Sequence, residues 1–209
     1  MNEENNDALS ELEARKRDHK VYITEEAIQK VPYIEYREID KIHYENLQET
    51  AKHILRLSKE KNDSNEVAAV YSLDFDTLVA RNEEYVGIAY GTEHEVDPEG
   101  STASYHIIHS ALDCVVVCLH NHPNLSKFSL DDVKFFLRND SIKMMVVVTN
   151  LGSISYLVKA KKFNRLEAIK VYNEAVSIHN LGKDLKNAQR AANHFLNECY
   201  RANIIYEDR

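Results

Sequence analysis

The apolar residues of this chain follow two different periods, which together predict a fold of helices and strands. Between residues 44 and 61 the apolar positions, among them Leu47, Ile54 and Leu55, recur at helical spacing, so an amphipathic helix is predicted there. Shorter helices are predicted over 24–31, 101–112 and 130–137. Strands are predicted over 66–73, 77–80, 85–90, 113–119, 144–148 and 154–158. The pattern therefore predicts the mixed α/β (α+β) class, with helices around a mixed sheet.

This pattern divides the chain into three parts. Residues 1–43 form a charged N-terminal lead-in with one short helix, residues 44–162 form the central domain, and residues 163–209 form a helical C-terminal extension. In the extension, the apolar positions from Leu185 to Cys199 recur at helical spacing. It is predicted to be a pair of helices packed on the core. The alternative is a contact surface for a second copy of the chain or for a protein partner.

Composition and charge narrow the class of protein. The formal net charge of -8 offers no general basic surface for phosphates, which argues against nucleic acid as a partner. The three cysteines are an odd number, and Cys114 and Cys118 fall in a predicted strand, so they are predicted as core residues in a reducing compartment. No apolar run approaches the roughly 20 residues of a membrane span. Because the first residues are polar and acidic rather than signal-like, a cytoplasmic protein is predicted.

The side chains that point most clearly to chemistry lie at the end of one predicted strand. His120 and His122 follow the apolar run 113–119, and alternation along a strand places both imidazoles on the same side. Pro123 has no N–H to donate and is predicted to end the strand. A Ser-x-x-Asp pattern, Ser129 to Asp132, follows at the start of the next helix. Two imidazoles and a carboxylate are ligands typical of a divalent metal.

A second interpretation of the same residues needs no metal. Ser129 and Asp132 have the spacing of a helix N-cap and its third residue, a capping box with Asp in place of Glu or Gln. On this interpretation Asp132 is not expected to serve well both as a cap and as a ligand. The sequence contains no P-loop, dinucleotide-binding glycine pattern or His-Glu-x-x-His motif, and it lacks the cysteine half of a zinc deaminase.

The order of these features resembles the JAMM (JAB/MPN) metalloprotease family, and the His-Asn-His-Pro form is most similar to its bacterial RadC-like branch. The resemblance covers about residues 46–160. It implies that the central domain is a JAMM-like metal-binding domain with a JAB/MPN-like mixed sheet flanked by helices. It also implies Zn²⁺ held by His120, His122 and Asp132.

The same resemblance implies two catalytic side chains. Glu66 lies where the first amphipathic helix gives way to the first core strand, as the glutamate of the family does, and becomes the general acid/base. Ser129 becomes the hydroxyl on the oxyanion side. Weaker rivals for the glutamate are Glu83, Glu84, Glu95 and Glu99.

The loop between the proline and the serine departs from the family pattern. Residues 124–128 are one residue fewer than the family usually has. This shorter loop either still closes on the metal, or pulls Asp132 away from it, or brings Asp131 forward instead.

The function implied is hydrolysis of an amide bond in a protein or peptide by a metal-activated water. Three protein ligands leave the fourth position of a tetrahedral zinc open for water. Glu66 is placed to move the proton of that water, and Ser129 to donate to the developing oxyanion. The alternative is a catalytically inactive JAMM-like binding or assembly module. The His-Asn-His-Pro segment of this chain, with Phe-Ser before the following helix, also resembles short modules that accompany phage head-morphogenesis proteins. This resemblance implies nothing about the substrate.

Overall fold

The computed structural model describes residues 19–75, 86–179 and 185–209. Residues 1–18 of the lead-in and the strand predicted over 77–80 therefore lie outside the described residues. No helix in the described part of the chain is long and apolar enough to cross a membrane.

One six-stranded mixed sheet organises the described residues. The strands are β1 (Val67–Ser72), β2 (Gly87–Tyr90), β3 (Val116–His122), β4 (Ile142–Thr149), β5 (Ile154–Lys159) and β6 (Ile204–Asp208). Their order in the sheet is β2-β1-β3-β4-β5-β6. Neighbouring strands run antiparallel except β3 and β4, which are parallel. The mixed α/β class predicted from the sequence is confirmed.

Helices cover both faces of the sheet, because side chains alternate along each strand and both sets are apolar. The helices are α1 (Glu25–Lys30), α2 (Tyr44–Lys61), α3 (Thr102–Ser110), α4 (Leu130–Arg138), α5 (Arg165–Ile178) and α6 (Leu185–Glu198). One buried cluster joins α1 and α2 to the face that carries Val117 and Leu119 of β3. The other cluster joins α3, α4, α5 and α6 to the face that carries Val116 and Cys118.

Strand β3 begins three residues later than predicted and ends where predicted. It runs from Val116 through His122, so both histidines lie in the strand and Pro123 directly follows it. Cys118 is buried as predicted. The prediction of Cys114 as a core residue was wrong, since it precedes the strand and is exposed.

The C-terminal segment differs from the prediction in its last residues. Helices α5 and α6 are present, but the chain then ends in β6, which pairs antiparallel with β5. Asn203 ends the preceding turn in the left-handed conformation, with φ of 55°, which frees the chain to reverse into a strand. Strand β6 was not predicted, because its few apolar residues continue directly from a helical pattern.

Candidate metal centre

Strand β3 brings two imidazoles together in the interior. His120 and His122 share one face of the strand, and their side chains are almost fully buried. Their Nε2 atoms lie 3.0 Å apart. Since Cys118 precedes them on the same face and belongs to the cluster under α3 to α6, the two rings point toward the helical layer that contains α4.

The first turn of α4 supplies a carboxylate to these rings. Asp132 Oδ1 lies 3.1 Å from His120 Nε2, and Asp132 Oδ2 lies 3.5 Å from His122 Nε2. One ligand atom from each of the three residues falls within 4.8 Å of the others. Ligands at about 2.0–2.1 Å from a tetrahedral zinc are about 3.3 Å apart. These residues can therefore hold a metal ion.

The short loop before α4 keeps Asp132, and not Asp131, at the histidines. Asp131 is exposed. The loop is anchored by Phe128, which is fully buried. The centroid of its ring lies 6.3 Å from the ring centroid of Tyr206 in β6. A loop with its last residue fixed in the core can close with one residue fewer, because the anchor determines where α4 begins.

Asp132 also closes the capping box of α4. Its Oδ2 accepts hydrogen bonds from the backbone N–H and from the hydroxyl of Ser129, both at 2.7 Å. The Ser129 Oγ in turn accepts from the Asp132 backbone N–H at 3.1 Å. Because one oxygen caps the helix while the other faces His120, the carboxylate can cap α4 and still present Oδ1 to the histidines; its role as a metal ligand stays a prediction. The hydroxyl proton of Ser129 is already engaged by Asp132, and its oxyanion role stays a prediction.

A residue that the sequence analysis missed orients His122. The Nδ1 atom of His122 lies 3.1 Å from both the carbonyl oxygen and the hydroxyl oxygen of Ser126. The hydroxyl donates its proton to Asn124 Oδ1 and a carbonyl only accepts, so this arrangement favours a proton on Nδ1. The lone pair of Nε2 then faces His120 and Asp132, which is the tautomer of a metal-ligating histidine. No sequence motif marks Ser126, because its backbone carbonyl makes this contact.

The second nitrogen of His120 is in a different situation. Its Nδ1 is buried near the thiol of Cys118 and makes no hydrogen bond of good geometry within the described residues. An orphaned ring nitrogen is costly in a buried site. A metal-ligating histidine usually donates its second N–H to a partner, so within the described residues His120 lacks the support that His122 has.

The three side chains form a charged cluster in the buried interior. Burial alone would lower the pKa of His120, but the adjacent Asp132 carboxylate outweighs it and raises that pKa well above its usual value. Burial, together with the charge of His120, lowers the pKa of His122 to about 4. The pKa of Asp132 is lowered despite burial, because His120 attracts its charge. A partly buried carboxylate thus faces positive charge, which a divalent cation can supply in place of the imidazole proton.

Glu66 lies beside this cluster. It directly precedes β1, in which Ala68 pairs with His120, and residues two apart on a strand share a face. Glu66 is 6% exposed, and burial raises the pKa of its carboxyl to about 8, with the charge of His120 acting in the opposite direction and that of Asp132 in the same direction. It can therefore hold a proton near neutral pH.

The rival glutamates are less well placed. Glu95 is exposed. Glu99 is paired with His109 at 3.2 Å and with Arg138 at 3.1 Å. Glu83 and Glu84 lie outside the described residues. Glu66 is therefore the best-placed candidate: it is buried, and the charges of His120 and Asp132 act on the pKa of its carboxyl.

Comparison with known proteins adds no assignment to this geometry. No family model, curated protein or solved structure matches the chain. The structure places the three predicted ligands together, Glu66 beside them and Ser129 against Asp132. The functional argument therefore depends on the chemistry of these side chains.

Proposed function

We propose that this protein is a zinc-dependent hydrolase of amide bonds, of the JAMM metalloprotease type, which acts on a protein or peptide in the cytoplasm. The observation that supports the proposal is the convergence of His120, His122 and Asp132 beside the buried Glu66. Two imidazole nitrogens and one carboxylate oxygen suit Zn²⁺, and three protein ligands are typical of catalytic rather than structural zinc.

The residues of the chain divide the work as follows. His120, His122 and Asp132 would hold the zinc, which would supply a coordinated water with a pKa lowered to about 7. Glu66 would take the proton of that water during its attack on the carbonyl carbon and return it to the departing amine nitrogen. Burial raises its pKa to about 8 in the metal-free protein, which supports this role, because a carboxyl with such a pKa exchanges its proton near neutral pH.

The surroundings of the ligands also support this proposal. Ser126 fixes the tautomer of His122, and Ser129 fixes the carboxylate of Asp132. Ligands that are oriented by neighbouring hydrogen bonds lose little freedom when a metal binds. In the JAMM-type assignment, Ser129 would donate to the oxyanion only after its bond to Asp132 opens.

The experiment compares metal content and turnover in matched variants. Wild-type protein is expected to retain about one zinc per chain after dialysis and to cleave quenched fluorescent peptides or an isopeptide-linked probe. Glu66→Gln should retain the zinc and lose turnover, and His122→Ala should lose both. Glu99→Gln is the control and should behave as wild type. Full zinc binding by a variant with both His120 and His122 changed to alanine would remove the proposal.

A second candidate is a catalytically inactive JAMM-like assembly module. The observation that favours it is the outer face of α5, where Leu166 is 80% exposed and Ile178 is 63% exposed. The opposite face of α5 packs on the core through Ala168, Val171 and Ala175. A folded, metal-free protein that elutes as a stable oligomer, and that Leu166→Glu converts to a monomer, would favour this candidate.

A further inference from the structure

Asn121, the residue between the two histidines, forms a buried hydrogen-bond network on the other face of β3. Its side chain is fully buried. The Oδ1 atom accepts the backbone N–H of Val67 at 2.7 Å. The two N–H groups of Nδ2 face three acceptors: the Asn150 Oδ1 at 2.8 Å, the Asn65 carbonyl at 3.2 Å and the Ser58 hydroxyl at 3.3 Å, and the last two share one hydrogen. One side chain thus joins β3 to β1, to the end of α2 and to the turn after β4.

Asn150 completes the network from that turn. It is also fully buried, and its Nδ2 donates to the backbone carbonyls of Val21 at 2.7 Å and Ser64 at 2.9 Å. Its backbone N–H donates to the carbonyl of His122 at 3.0 Å. The main chain of a proposed ligand and the side chain of Asn121 are therefore held by the same residue.

The main chain of Glu66 is held just as firmly. Its N–H donates to the Thr92 carbonyl at 2.9 Å, and its carbonyl accepts from the Gly91 N–H at 2.9 Å and from the Asn62 Nδ2 at 2.8 Å. The next N–H along the chain is that of Val67, which Asn121 binds. Asn121 is thus the link between the fixed backbone at the acid/base glutamate and the ligand strand.

The position of this link in the sheet is informative. The paired residues of β1 and β3 end with Ala68 opposite His120. Beyond that pair, the Val67 N–H bonds to the side-chain amide of Asn121 instead of to a main-chain carbonyl of β3. This hydrogen bond holds the two strands together beyond their last main-chain pair. Glu66 and His122 are the next residues along each strand from this bond.

We propose that Asn121, supported by Asn150, is a positioning residue of the metal centre: it fixes the ligand-bearing end of β3 relative to the start of β1. The inference rests on the proposed function, since it assumes that the histidines bind a metal. Hydrogen bonds to fully buried amides are costly to leave unmade. The network therefore restricts His120 and His122 to one arrangement before the metal arrives.

The test uses Co²⁺ as the probe, because the visible absorption of bound Co²⁺ reports the ligand geometry. The full-length wild type is compared with Asn121→Ala, Asn150→Ala and the control Ser141→Ala. Ser141→Ala removes another buried hydrogen bond, to the Ile108 carbonyl, at the opposite end of β4. Each protein is titrated with Co²⁺ against a chelator, and the spectrum of the bound form is recorded.

Asn121→Ala should still bind one Co²⁺, with a dissociation constant weakened about 10–100-fold and an altered spectrum. Asn150→Ala should change both in the same direction, and decides the question if Asn121→Ala does not fold. Ser141→Ala should match the wild type. Variants that are less stable but bind Co²⁺ with wild-type affinity and spectrum would overturn this inference alone. A wild type that binds no Co²⁺ would overturn the proposed function as well.

Discussion

Because Glu66 is buried, we expect the free energy of unfolding to depend on pH through its carboxyl. The carboxyl has a pKa of about 8 in the folded metal-free chain, against an ordinary value of 4.5. Between these two pH values the folded state holds a proton that the unfolded chain has released. Stability contributed by this group is therefore present at low pH and is lost as the pH rises through the folded-state pKa. Glu66→Gln keeps the shape of the side chain and cannot lose a proton.

The expected effect is large for a single carboxyl. Relative to wild type, the free energy of unfolding of Glu66→Gln should grow by about 3 kcal/mol between about pH 4 and pH 7. The difference should level off at about pH 9, where the wild-type carboxyl is ionised in both states. The physical reason is that ionising Glu66 places a charge in a site where water is largely excluded.

Urea unfolding of both proteins in the presence of EDTA, followed by circular dichroism across this pH range, measures the difference directly. Ser141→Ala serves as the control: because it changes no titratable group, its difference from wild type should be the same at every pH. A Glu66→Gln difference that is equally flat would show that the carboxyl is not desolvated, and the reasoning about its role as acid and base would fail.

Two further substitutions test how the site is built. Ser129→Ala removes the cap of α4 and should lower the free energy of unfolding, measured by urea titration, by about 1 kcal/mol. Because Asp132 loses a partner, the same substitution should also weaken zinc binding in a chelator competition. An unchanged zinc affinity would contradict this reasoning. Gly152→Ala should destabilise the protein by about 1–3 kcal/mol in thermal unfolding. The reason is that Gly152, in the hairpin between β4 and β5, has φ of 90° and an added Cβ would lie 2.4 Å from the Ala27 carbonyl oxygen. A variant with wild-type stability would contradict that reason.

Local sequence patterns were enough to predict most elements of the fold. The helix predicted over 44–61 is α2 to the residue, because its apolar positions and its polar stop both act locally. The two histidines could be placed on one side because strand alternation is a property of the backbone. Strand β6 could not be predicted, since its stability comes from pairing with β5, which is distant in sequence.

The supporting contacts of the site were also beyond the sequence. Ser126 acts through a backbone carbonyl, which every residue has. Asn150 lies in the turn after β4, and its contact to Asn121 depends on the parallel alignment of β3 and β4. The dual role of Asp132 depends on which oxygen faces which partner. Such choices are made by tertiary geometry, so residue spacing alone does not determine them.

Anomalous diffraction at the zinc absorption edge, from crystals of protein supplied with Zn²⁺, tests the central claim most directly. We predict one peak about 2.0–2.2 Å from His120 Nε2, His122 Nε2 and one oxygen of Asp132, with the carboxyl of Glu66 facing the open coordination position. Crystals that show no peak between these three side chains, with Asp132 still bonded only to Ser129 and the histidines, would contradict the account.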